Sequence, residues 1–215
     1  MTVCLHTTQP NVVITRSRIQ ASCSWVVDSE IIGSTSPADW LLIEDSEIIG
    51  PASAIGCLGE FGFVARRVEI TGCANGLDGD KNFTIEDSYV HNLPPEGSSQ
   101  HGDGIQSCCA ANVTIRHNTL LGRSGDLSGN GGNTTSAIIL PIANPPPGQI
   151  VVTGNFLGGG AYTLYCASTV NQSITNNTFA HRPGPLGAAF GYVDNCELAG
   201  TFSGNVTDTG QPVSR

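Results

Sequence analysis

Five ionisable side chains crowd into a short span of this chain. Asp78, Asp80 and Lys81 lie in Asn75-Gly76-Leu77-Asp78-Gly79-Asp80-Lys81, and His101 and Asp103 lie in His101-Gly102-Asp103-Gly104-Ile105-Gln106. Paired carboxylates act as general acid and base on a glycosidic bond, and their separation decides retention or inversion. The same aspartates, Asp78, Asp80 and Asp103, offer hard oxygen ligands for Ca²⁺, which would neutralise a uronate. Lys81, His101 or Arg123 would then abstract the proton in a β-elimination. The competing interpretation is structural, because Asp and Gly cap tight turns. Gln106, His91, Arg123 and Tyr165 are the candidate substrate contacts, Tyr165 as a ring on which a sugar can stack.

The elements that must position these residues announce themselves by repetition. An eleven-residue phrase returns eight times, starting at Asn11, Trp40, Gly62, Asn82, Asn112, Gln149, Asn171 and Ala199. Its fourth position is Ile14, Ile43, Ala65, Ile85, Ile115, Val152, Ile174 and Phe202, and its ninth is Ile19, Ile48, Ile70, Val90, Leu120, Leu157, Phe179 and Thr207. The seventh is Ser17, Ser46, Val68, Ser88, Asn118, Asn155, Asn177 and Asn205. Apolar and polar residues alternate within the phrase, the signal of a half-buried strand, and no helical period competes. Short polar side chains at a bend can bond the backbone, and stacked amides can bond one another.

A second short strand precedes most copies. Aligning these strands sends Ile55, Leu77, Ile105, Ile138, Leu164 and Phe190 inward, and Gly56, Asp78, Gln106, Ile139, Tyr165 and Gly191 outward. Fixed-period repeats of this kind build solenoids. The expectation is an all-β, single-domain right-handed parallel β-helix over residues 1–215, of about eight rungs, in which each rung pairs with the next at about 4.8 Å. Asp78 then stands beside Gln106. Two long insertions, Leu93 to Asp103 and Arg123 to Ser136, rise on the same side and frame a groove; long loops on a rigid scaffold are where binding and catalysis concentrate. Tyr192 is expected in the core, and Arg116 and His117 at the surface.

Composition excludes several partners. A net charge of −9 argues against nucleic acid and anionic membranes. No apolar run approaches membrane-spanning length. Eight cysteines in a Lys-poor chain suggest an oxidising, extracellular compartment, with Cys4–Cys23 and Cys166–Cys196 as plausible pairs and Cys57 and Cys166 otherwise fit to serve as small core hydrophobes. The chain opens at Met1 already inside a strand-like segment, so a trimmed or longer secreted protein is expected. A monomer is expected, with either no cofactor or Ca²⁺.

Gly102-Asp103-Gly104-Ile105-Gln106 followed by Asn112-Val113-Thr114-Ile115-Arg116-His117-Asn118 resembles the strand and bend phrases of the right-handed parallel β-helix superfamily of carbohydrate-active proteins. That group includes pectate-lyase-like lyases, polygalacturonase-like hydrolases and C5-epimerases. The resemblance implies a polysaccharide groove near Asp78, Gln106 and Asp103. It does not carry over a catalytic set. The adjacent Asp-Asp pair, Gly-His-Gly and Arg-Ile-Lys motifs of the hydrolases are absent, and Arg116 stands where the lyases want Asp. The alternatives left open are lyase, glycoside hydrolase, and a non-catalytic carbohydrate-binding or adhesin-like module.

Overall fold

Alternating Val, Ile, Thr and Phe with polar residues suits a pleated, half-buried surface, and strand is what these segments adopt. The computed structural model describes residues 5–7, 9, 11–20, 25–29, 41–94, 102–107, 109–122, 136–140, 148–167 and 169–215. Among them there is no helix, and 21 strands join one sheet whose strand pairings are parallel.

Each strand pairs with its counterpart one repeat further along, which divides the sheet into three ladders. The first runs through Leu5–Thr7, Trp25–Ser29, Gly56–Phe61, the start of Asn75–Glu86, Ile105–Gln106, Ile138–Ile139, Tyr162–Tyr165 and Gly191–Asp194. The second contains Val12–Thr15, the front halves of Leu41–Ile49 and Phe63–Thr71, the end of Asn75–Glu86, then Ala111–Arg116, Ile150–Thr153, Gln172–Thr175 and Thr201–Ser203. The third contains Arg18–Gln20, the back halves of Leu41–Ile49 and Phe63–Thr71, then Tyr89–Val90, Thr119–Leu121, Phe156–Gly158, Thr178–Phe179 and Val206–Thr207.

Both apolar columns of the repeated phrase are in register over all eight copies, from Ile14 to Phe202 on the second ladder and from Ile19 to Thr207 on the third. The first ladder supplies a third inward column, Leu5, Val27, Leu58, Leu77, Ile105, Ile138, Leu164 and Val193. Its ends differ from expectation. Leu58, fully buried, stands beside Leu77 where Ile55 was expected, because Gly56 rather than Ser53 pairs with Asn75. At the other end Phe190 is 56% exposed and Val193 takes the inward place, because strand pairing there starts only at Gly191. Tyr192 is half-buried, packing on Phe179 with centroids 6.0 Å apart. Fully burying each Ile or Leu in these columns contributes roughly 1.5–3 kcal/mol.

The bend between the second and third ladders has its own backbone chemistry. The residue just before it is left-handed at Arg16, Asp45, Arg67, Asp87, His117 and Asn176, with φ between 49° and 56°, and at Gly154 and Gly204, both 67°. Directly after it comes the polar column. Asn118, Asn155, Asn177 and Asn205 form an unbroken amide ladder, each Nδ2 donating to the next Oδ1 at 2.9–3.0 Å. Each Oδ1 also accepts the backbone N–H of the preceding member, and Nδ2 donates to Ile85, Ile115, Val152 and Ile174 carbonyls respectively. Ser88 joins through its N–H to Asn118 Oδ1, and its hydroxyl accepts from Val68 N–H. Every member from Asn118 to Asn205 is buried, so these bonds satisfy groups that water cannot reach.

Among the described residues, two disulfides tie the first ladder to its turns. Cys166–Cys196 forms as expected, and Cys57–Cys73 was not among the expected pairs; Cys4 and Cys23 lie outside the described residues. Gly50 makes room for the second bridge, since a Cβ there would fall 2.0 Å from Cys73 Sγ.

The amide ladder makes a direct prediction. Asn155→Ala leaves the Asn118 N–H buried without a partner and strips one bond from the Ile115 carbonyl, so stability should fall by roughly 1–3 kcal/mol. Urea unfolding measures it, and Asn155→Ser should recover part of the loss because Ser serves the same column at Ser88.

Candidate functional site

The outward face of the first ladder carries the cluster. Its outward column is Gly59, Asp78, Gln106, Ile139, Tyr165 and Asp194, each beside the next across one strand spacing. Asp78 and Gln106 therefore stand side by side, as the repeat required. Asp80 follows on the same strand, and Lys81 pairs with Phe61 on one side and Ala111 on the other, next to a register shift at Glu60/Phe61. A bulge of this kind re-aims side chains at a sheet surface.

Behind this face runs a second polar column, at the position two residues before each inward Leu or Ile. It consists of Asn75, Asp103 and Ser136, all buried. Asn75 Oδ1 accepts the Asp103 N–H at 3.1 Å, and Ser136 Oγ donates to Asp103 Oδ1 at 2.7 Å. Asn75 Nδ2 donates to Gln106 Oε1 at 3.2 Å, and the Asn75 side chain also hydrogen-bonds Asp78. Asn75 is thus the bracket that ties the buried column to the outward pair.

The electrostatic result falls on Asp78. Burial pushes its pKa up, the negative charge of Asp80 adds to the rise, and the Asn75 hydrogen bond opposes it; the outcome is about 6 against an ordinary 3.8. Such a carboxyl retains its proton where most have lost it, which suits a general acid. Tyr165 is likewise raised, by burial first and then by the charge of Asp194 beside it.

The structure sorts the expected site residues. Asp78, Asp80, Lys81, Gln106 and Tyr165 lie on or beside this ladder. Asp103 lies two residues before the strand Ile105–Gln106 and is turned inward, with no exposed surface and its carboxylate engaged by Ser136. His91 belongs to the end of the third ladder, where Nε2 meets Glu69 Oε1 at 2.8 Å and the ring stacks on Tyr89 with centroids 3.8 Å apart. His101, Arg123 and most of the two framing loops lie outside the described residues. Among the described residues no three His, Cys, Asp or Glu side chains come together to hold a metal, and Asp103, one of the three expected Ca²⁺ ligands, is buried.

Sequence reasoning missed Asn75, Ser136 and Asp194. Asn75 and Ser136 were detectable, since both fall two residues ahead of the aligned inward residues Leu77 and Ile138, as Asp103 does ahead of Ile105. Asp194 was hidden by the misplaced last strand, where Gly191 was expected in its position. A separate concavity of about 520 Å³ includes Arg18, Asp45, Glu47 and Arg67, whose charges already pair as Arg18–Glu47 at 3.0 Å and Arg67–Asp45 at 2.6 Å. It offers no comparable reactive group. No known protein family model, curated protein or solved structure matches this chain.

The Asp78 environment is directly measurable. A carboxyl-carbon NMR titration should show a midpoint near 6 for Asp78, and Asp80→Asn should lower it while leaving it above 3.8, since burial remains. Between 3.8 and about 6 the folded chain holds a proton that the unfolded chain has released, so this group makes stability fall as pH rises through that window. Asp78→Asn should flatten that part of the stability profile.

Proposed function

We propose that the three ladders are the faces of a right-handed parallel β-helix of about eight rungs, right-handed connection being the rule between parallel strands. The chain is then a secreted member of the carbohydrate-active β-helix superfamily that hydrolyses glycosidic bonds on the outward face of the first ladder. The two disulfides support an oxidising compartment, and no helix among the described residues is long and apolar enough to cross a membrane.

One observation carries hydrolysis over elimination: Asp78 keeps its proton to about pH 6 while Asp80 stands two residues away on the same strand. Asp78 donates its proton to the glycosidic oxygen as the C–O bond breaks. Asp80 is the partner carboxylate, drawing the proton from the water that adds to the anomeric carbon, or attacking that carbon itself. Asn75 holds Asp78 in place through its hydrogen bond, and Gln106 stands beside it. The buried Asp103 braces the strand through Ser136 and is a positioning residue in this scheme.

A second reading, a non-catalytic glycan-binding surface, is favoured by the inward turn of Asp103, which leaves two rather than three of the expected aspartates facing outward.

Incubation with a polysaccharide panel, with and without EDTA, separates these readings. Hydrolysis predicts new reducing ends without unsaturated uronates and without sensitivity to EDTA. Asp78→Asn should cut kcat/KM by roughly 100-fold or more, the usual contribution of a positioned general acid. The wild-type rate should decline as pH rises through about 6, because the acid form of Asp78 is lost. Unsaturated products would instead establish a lyase. Binding without either product would leave the glycan-binding module standing.

A further inference from the structure

Three aromatic rings gather on the first ladder toward its C-terminal end, away from Asp78 and Asp80. Tyr162 and Tyr165 meet edge to face with centroids 5.5 Å apart, and Phe190 lies 6.1 Å from Tyr162. Phe190 is 56% exposed, a large apolar ring left in water. It is nevertheless fixed in place. Phe190 N–H donates to Ala161 O at 2.8 Å, Ala189 N–H donates to Gly160 O at 2.9 Å, and the Arg182 guanidinium donates to the carbonyls of both Ala189 and Phe190. Gly191 makes room for the Tyr162 ring, because a Cβ there would come within 2.6 Å of it.

Phe190 is exposed and anchored, Tyr162 and Tyr165 beside it are half-buried, and rings held in place in this way lose little conformational entropy when they meet a partner ring. Flat aromatic faces match the C–H faces of a pyranose. Charge decides which pyranose. Asp194 stands beside Tyr165, Asp78 and Asp80 lie further along the ladder, and the whole chain carries −9. A polyuronate laid along this face would set carboxylate against carboxylate, whereas an uncharged sugar meets no such penalty.

We infer that Tyr162, Tyr165 and Phe190 form a stacking subsite for an uncharged pyranose, so that the glycan taken by this face is neutral. Three ladder steps separate Tyr165 from Asp78, about 14 Å, so one oligosaccharide would occupy the aromatic subsite and reach the carboxylates together. The inference rests on the polysaccharide reading above and adds both a location and a substrate class.

Isothermal titration with cellohexaose, xylohexaose, mannohexaose and, as the charged comparison, hexagalacturonate tests it on the full chain. At least one neutral hexasaccharide should bind more tightly than hexagalacturonate. Phe190→Ala and Tyr162→Ala should each weaken that binding about tenfold, Phe190→Trp should retain it, and Val13→Ala, exposed at the far end, should not change it. Retention in Phe190→Trp keeps a loss in Phe190→Ala from being mistaken for misfolding. Unchanged affinity in Phe190→Ala would sink the subsite while leaving a polysaccharide-binding protein. Preferred binding of hexagalacturonate would overturn the neutral class alone, and no binding of any hexasaccharide would overturn the subsite together with the polysaccharide reading.

Discussion

Backbone groups at a buried bend must find partners, and the way this chain supplies them governs its whole register. A strand can pair with the next repeat through its own N–H and C=O groups, but the bend between the second and third ladders breaks that pairing. The Asn118–Asn155–Asn177–Asn205 ladder replaces it, each amide bonding one carbonyl behind and one amide oxygen ahead. A one-residue slip would flip the side chains of a strand to the other face. It would also break every amide contact at once. The ladder therefore locks Ile115 above Ile85 and Leu120 above Val90, and the core columns follow.

The same constraint makes the left-handed residues tolerable. Gly, Asn and Asp adopt that conformation readily and His more often than most residues, but Arg16 and Arg67 do not. They are held there because bonds on both sides fix the chain. His117 N–H donates to Thr153 O, and the neighbouring Asn118 is bonded through both its backbone and its amide. Side chains at that position then project outward with little packing duty. That freedom explains why cations and anions alternate there and meet in cross-repeat pairs such as Arg67 with Asp45 and His117 with Asp87.

The candidate site reuses the device on another face. Asn75, Asp103 and Ser136 stack behind the first ladder as the asparagines do at the bend, and Asn75 reaches from that stack to Gln106 and Asp78. Burial of Asp78 raises its pKa, and the bracket holds it in that environment. Scaffold and chemistry are joined through one amide. On the outward side nothing in the stacking rule dictates residue type, so Asp78, Gln106, Ile139 and Tyr165 can differ from strand to strand while the inward column stays apolar.

Much of this was legible in the sequence, because a recurring phrase states the same packing problem eight times and any column solved once is solved throughout. The all-β class, two of the three inward columns, the polar bend and the pairing of Asp78 with Gln106 follow from periodicity alone. The first ladder was harder, since its strands are short and period-two alternation cannot fix an alignment when the turns between them vary in length. That ambiguity put Ile55 and Phe190 inside and left Asp194 unnoticed; packing against Leu77 and Leu164 chose Leu58 and Val193 instead. The direction of Asp103 was also beyond the sequence, because an Asp near a bend can face either way until Asn75 and Ser136, from the neighbouring repeats on either side, offer it partners. The chain alone determined which residues stack. Only the tertiary structure decided which of the stacked polar groups face solvent, because that depends on partners brought together from different turns of the repeat.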